Sequence, residues 1–312
     1  MGDLVRDILK MKEAKNAIIL AHYYQTGDIQ DIADFVGDSL ALAQKAAQTR
    51  ADIILFAGVK FMAETAKILS PRSKVLLPDL AAGCSLSDSC KPADFKKFIA
   101  DNPGRTVITY VNTSAEIKAL SDIICTSSNA VQIIESLPAN EKIIFAPDRN
   151  LGNYILNKTG RDMLIWNGTC HVHEEFSLEA IIKLKGQYPS AKVIVHPECE
   201  LPVRMVSDFI GSTAALLAFT KKDDSDIFIV ATEPGIIHQM KKANPSKNYI
   251  PVPPRDSTCA CSECNFMKLI TLKKIHECLD KESPEIFLDD SLVEKARRPI
   301  LRMLEISEKA GL

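Results

Sequence analysis

Short apolar runs recur along the chain at a long period. Runs 17–20, 106–109 and 192–195 read as buried strands, and each leads within two residues into a polar ring: His22, Tyr110 and His196. The same landmarks follow each ring at fixed offsets. An acid stands twelve residues on (Asp34, Asp122, Asp208) and a hydroxyl seventeen on (Ser39, Ser127, Thr213). Each hydroxyl opens a helical apolar pattern, over 40–48, 129–137 and 214–219, so a Ser or Thr there reads as a helix N-cap. A second strand is expected at 53–56, 142–145 and 227–230, then another helix, then a third strand at 75–77, 163–165 and 249–252.

Strands alternating with helices predict parallel sheets with helices on both faces. The rings lie 88 and 86 residues apart, too long a period for the common solenoid units. The expectation is an α/β protein of three homologous three-layer αβα domains with parallel sheets around a pseudo-threefold axis. The first takes residues 1–83 with the C-terminal helices 265–312, the second 84–169 and the third 170–264.

Composition narrows the class without changing that picture. The 312 residues are 46% hydrophobic and 25% charged, with a formal net charge of -2, which argues against nucleic-acid or anionic-membrane partners. No apolar run is long enough to span a membrane, and the charged first 15 residues do not resemble a signal peptide, so a cytoplasmic protein is expected. Nine cysteines are many for a reducing compartment, and an odd number argues against a disulfide framework. Cys125 and Cys278, and with them Cys90 and Cys199, read as small buried apolar residues. The thirteen glycines are too widely spaced for a dinucleotide fingerprint or a phosphate-binding loop.

The remaining cysteines carry the chemistry. Each third strand runs into a cysteine-bearing loop: Cys84, Cys170, and the group Cys259, Cys261 and Cys264. Ligands of open parallel sheets bind beyond the carboxyl ends of strands, where one thiolate from each domain converges if those ends face inward. Three thiolates suit a four-iron cluster that keeps one iron free of protein sulfur, available as a Lewis acid. Zinc is the alternative; Cys261 and Cys264 form one close pair, but structural zinc sites usually need two. Three helix N-termini aimed at the same place favour a ligand with several carboxylates or a phosphate.

Seven segments follow one another in order along nearly the whole chain: Ala21-His22-Tyr23-Tyr24-Gln25, the stretches 31–39 and 58–69, Tyr110-Val111-Asn112, 147–151, Cys170-His171-Val172-His173 and His196-Pro197-Glu198-Cys199. Together they resemble the quinolinate synthase family. That family condenses iminoaspartate with dihydroxyacetone phosphate to quinolinate, releasing phosphate and two waters, on the route to NAD. The resemblance implies a [4Fe–4S] cluster held by Cys84, Cys170 and Cys264, and an aspartate oxidase or dehydrogenase as source of the imine. It also implies a substrate pocket of His22, Ser39, Tyr110, Val111, Asn112, Ser127, His196, Pro197, Glu198 and Thr213.

For the proton transfers, Glu198 and Tyr24 are the expected acid/base pair, with His22, His196 and Tyr110 beside them. The run Cys259-x-Cys261-x-x-Cys264 departs from the family's C-x-x-C-x-x-C or single cysteine. Cys264 is the expected ligand, and Cys259 with Cys261 a candidate redox pair. Two rivals remain on sequence grounds: a non-catalytic metal or redox sensor, and a cluster-dependent dehydratase acting on a hydroxy-carboxylate.

Overall fold

The computed structural model describes residues 2–256 and 262–312, so Cys259 and Cys261 lie outside the described residues. Twelve strands form three sheets. The first contains β1 (Ala17–His22), β2 (Phe35–Gly37), β3 (Ile53–Ala57) and β4 (Lys74–Leu76); the second, β5 (Thr106–Tyr110), β6 (Ile123–Cys125), β7 (Ile143–Ala146) and β8 (Met163–Ile165). The third contains β9 (Lys192–Val195), β10 (Phe209–Ile210), β11 (Ile227–Ala231) and β12 (Asn248–Pro251). Every pairing is parallel, and the orders β2-β1-β3-β4, β6-β5-β7-β8 and β10-β9-β11-β12 are one order repeated. Parallel strands need crossovers, which puts helices on the sheet faces.

Each unit thus has four strands, one more than the apolar pattern indicated. The additional ones, β2, β6 and β10, are two or three residues long, too short for a periodicity to register. They begin directly after the repeated acid. Asp34, Asp122 and Asp208 donate their own N–H to the carbonyls of Ile19, Val107 and Val193 and accept those residues' N–H on a carboxylate oxygen, each time at 2.8 Å. The acid is therefore a strand-pairing device, which explains its invariance across the three units.

The hydroxyls are not the helix caps. Asp38 and Ser212, one residue earlier, accept the N–H of Ala41 and Ala215 and cap helices Ser39–Gln48 and Thr213–Lys222. Ser39 and Thr213 are the first helical residues, and Ser127 lies in the turn before helix Ala130–Glu135. Capping at Asp38 and Ser212 leaves the Ser39 and Thr213 hydroxyls out of the caps, and the helix after Ser127 has no side-chain cap at all.

The first two units share one apolar core that also takes in Ala296, Ile300 and Met303 of the last helix. That helix, Asp290–Lys309, packs on β6 and the second unit's helices as well as on helix Lys60–Leu69, whereas Leu272–Lys281 packs on Gly2–Ala14 of the first. The third unit has separate apolar clusters on the two faces of its sheet. No helix among the described residues is long and apolar enough to cross a membrane.

Candidate active site

The carboxyl ends of the three sheets meet at one cavity. Its walls include His22, Tyr24, Ser39, Cys84, Tyr110, Asn112, Ser127, Cys170, His196, Glu198, Thr213 and Cys264. Val111 and Pro197 are buried but do not line it; Val111 backs a small void behind Ser39, and its N–H pairs with Cys125. The caps show how closely the units approach. The Ser128 hydroxyl, from the second unit, donates to Asp38 of the first at 2.6 Å and lies 2.8 Å from that of Ser212 of the third.

Two rings are set by one local device. The N–H of Tyr24 donates to Nδ1 of His22 (3.2 Å) and that of Glu198 to Nδ1 of His196 (3.3 Å). Each Nδ1 therefore accepts, and the ring proton sits on Nε2, which in His196 is 3.2 Å from the Ser127 hydroxyl. Burial lowers both imidazoles to about 3, with Glu198 opposing. They are neutral donors at ordinary pH. Tyr24, Asn112 and Glu198 share one equivalent position, two residues beyond each ring, although the device itself operates only at the two histidines.

Around Glu198 the environment separates acids from bases. Burial pushes its carboxyl up, but His173, His196 and a hydrogen bond from the Tyr110 hydroxyl outweigh it and hold the group ionised, near 2. Tyr24 and Tyr110 are pushed well above the usual phenol range by burial and then by the Glu198 charge, so both stay protonated. Neighbouring groups driven apart in this way are matched as base and proton donors.

A hydrogen-bonded chain joins Tyr24 to Glu198. The Tyr24 hydroxyl lies 2.9 Å from Thr232 Oγ1 and 3.1 Å from Thr213 Oγ1; Thr232 Oγ1 lies 3.0 Å from His173 Nε2; and His173 Nδ1 lies 3.0 Å from Glu198 Oε2. An ionised carboxylate only accepts, so His173 donates from Nδ1. Sequence alone assigns no role to His173 or Thr232. His173 lies in the segment 170–173, and Thr232 directly follows β11, the position where strand exits supply site residues. Asn112 Oδ1 is buried and has no partner, an acceptor aimed at whatever fills the cavity.

The three cysteines occupy equivalent places, each immediately before a short helix: Ser85–Asp88, His171–Glu174 and Asn265–Lys268. Burial raises Cys84 to about 12 and Cys264 to about 11, and pushes Cys170 well above its ordinary range, where the charges of Glu198, Cys84 and Cys264 add to it. Thiols that oppose each other's ionisation at a buried centre call for a cationic group to hold them as thiolates. Cys170, His173 and Glu198 also bring ligand atoms within 4.8 Å of one another, a group that could hold a metal ion. Cys90, Cys125, Cys199 and Cys278 are free and buried away from this centre, as small apolar residues.

Comparison with known proteins agrees with this arrangement. Residues 6–305 match the family model described as quinolinate synthetase A protein. The chain is 58% identical to the quinolinate synthase of Thermosynechococcus vestitus over 98% of its own length and 96% of that protein. It is 59% identical to the one from Microcystis aeruginosa (98% and 95% covered) and 57% to the one from Synechocystis sp. (98% and 96%). With the match running through all three units and every cavity wall, the chain belongs to the quinolinate synthase family.

Proposed function

We propose that this protein condenses iminoaspartate with dihydroxyacetone phosphate to form quinolinate, phosphate and two waters, for NAD biosynthesis. The observation that carries the reading is one cavity lined by Cys84, Cys170 and Cys264, one from beyond the last strand of each sheet, together with Glu198, Tyr24 and the three hydroxyls. The substrates bring two carboxylates and a phosphate. Ser39 and Thr213, at the first positions of ten-residue helices, and Ser127 supply hydroxyls and nearby N–H groups for them. Nε2–H of His22 and of His196 donates to substrate oxygens, and Asn112 uses its unpaired acceptor to orient the imine.

Cys84, Cys170 and Cys264 are the residues that would hold a [4Fe–4S] cluster; their mutually unfavourable buried charges fit such a cationic group. When bound, the cluster supplies an iron free of protein sulfur, a Lewis acid toward substrate oxygen. Glu198 takes the proton released as the new carbon–carbon bond forms. Tyr24 gives one to a departing oxygen and is reprotonated along Thr232, His173 and Glu198. The imine is unstable in water, so an aspartate oxidase or dehydrogenase is the expected source. The domain division is 1–83 with 265–312, then 84–169 and 170–264, in a cytoplasmic enzyme.

A second reading places one divalent ion on Cys170, His173 and Glu198. It leaves Cys84 and Cys264 unexplained and displaces the proton between His173 and Glu198. The test is turnover of anaerobically purified protein with dihydroxyacetone phosphate and imine generated in place from aspartate. Quinolinate and inorganic phosphate should appear one to one. Phosphate without quinolinate, or no product from iron-loaded protein, contradicts the proposal.

A further inference from the structure

The third unit meets the first along a largely polar seam. Gln30 Nε2 donates to the carbonyls of Tyr23, Gln25 and Gly235 at 2.9, 2.8 and 2.9 Å, and at the surface Asp31 pairs with His238 and Lys242. One ion pair lies deeper. Glu233 is fully buried; Lys268 Nζ is 2.7 Å from its Oε1 and donates at 2.7 Å to the carbonyl of Tyr24. Its Oε2 accepts the N–H of Gly235 at 2.7 Å, and its Oε1 lies 3.5 Å from the N–H of Cys264. A Cβ at Gly235 would come within 2.8 Å of both that carboxylate and the Tyr23 carbonyl, so the seam is closely fitted there.

Neither Glu233 nor Lys268 lines the cavity. A buried ion pair is weak evidence of stability, because desolvation offsets its attraction; registry is its best-attested use. What this pair registers can be read from its neighbours. Glu233 follows Thr232, which holds the Tyr24 hydroxyl, while Lys268 lies one turn beyond Cys264 and holds the Tyr24 carbonyl. The equivalent strand-exit position in the second unit is Asp148, also fully buried, which accepts the N–H of Cys170. In the first unit it is Val59. Two of the three cysteine loops thus hang on a buried carboxylate, and only at the third does a lysine carry the tie across to another unit.

We propose that Glu233 and Lys268 are positioning residues that hold the Cys264 loop and the Tyr24–Thr232 contact in one register across the seam. The proposal rests on the reading of Cys264 as a cluster ligand and Tyr24 as a proton donor. The test compares anaerobically purified wild type with Glu233→Gln, Lys268→Met, the double variant and Lys268→Arg. It reads the rate of iron release to a chelator together with kcat and KM. The first three variants are expected to load iron fully, release it about tenfold faster or more, and lose about tenfold in kcat at unchanged KM. Lys268→Arg is expected to restore most of both. The double variant leaves no charge unpaired, so it carries the comparison should a single variant fail to fold. Wild-type iron release and kcat in the double variant, even with lowered thermal stability, would overturn the proposal and leave the cysteine assignment intact. Iron retained by Cys264→Ala protein would overturn that assignment and the proposal with it.

Discussion

The three units are alike where their second strands begin and different where their first strands end. At the outer place stand Asp34, Asp122 and Asp208, each exchanging the same two hydrogen bonds with the neighbouring strand. At the inner place stand His22, Tyr110 and His196, followed two residues on by Tyr24, Asn112 and Glu198. The outer acids reach the rim, where Asp34 and Asp208 also pair with Lys12 and Lys192. The inner groups are buried in one cavity and differ in charge and proton affinity. A repeated backbone solved the problem of pairing strands once and reused the solution. The site it surrounds is asymmetric, and there the three units contribute different groups.

Substitutions at the two places should therefore do different things. The largest effect is expected from Glu198→Gln, a fall of about 10²–10⁴ in kcat from loss of the base with the fold retained. Steady-state kinetics beside a circular dichroism melt checks both. A fall confined to stability would put Glu198 with the outer acids. Tyr24→Phe and Thr232→Val are each expected to cost about 10² in kcat, and the double variant hardly more, because they interrupt one chain. Full additivity would mean that Tyr24 and Thr232 act separately.

The inner rings also leave a mark on stability. His22 and His196 are held near 3, below their ordinary 6.5, so the unfolded chain takes up protons first as pH falls. The stability they contribute is complete above about pH 6.5 and is lost as pH falls toward 3, by at most about 1.4 kcal/mol per pH unit for each ring. Glu198, depressed as well, adds to the loss below its ordinary 4.5. Denaturant midpoints between pH 7 and 5 should fall accordingly, with a shallower slope in His22→Gln. The same slope in both proteins would mean that the ring is not buried neutral. The smallest effect is expected at the outer place: Asp122→Ala should cost about 1 kcal/mol by chemical denaturation and leave kcat unchanged. A catalytic defect there would erase the distinction.

Much of this division was legible in the sequence, because a strand, a ring, an acid and a hydroxyl recurred in one register. The period set three α/β units, and the cysteine loops after the third strands pointed to a common centre. The parts that were not legible are those that periodicity cannot carry. β2, β6 and β10 are too short to alternate, and a cap displaced by one residue, at Asp38 and Ser212, looks the same in sequence as one at Ser39 and Thr213. His173 and Thr232 occur in single units, so no repeat marks them; only the contact between units shows that they connect Tyr24 to Glu198.

The central claim is that three cysteines, one from beyond the last strand of each sheet, hold a shared iron–sulfur cluster at the cavity lined by Glu198 and Tyr24. Its most direct test is the iron and acid-labile sulfide content of anaerobically purified protein, wild type and with Cys84→Ala, Cys170→Ala or Cys264→Ala. The account predicts about four irons and four sulfides per wild-type chain, lost in each of the three variants. A single metal ion without sulfide, retained in Cys84→Ala and lost in Cys170→Ala, would contradict it and favour the ion on Cys170, His173 and Glu198.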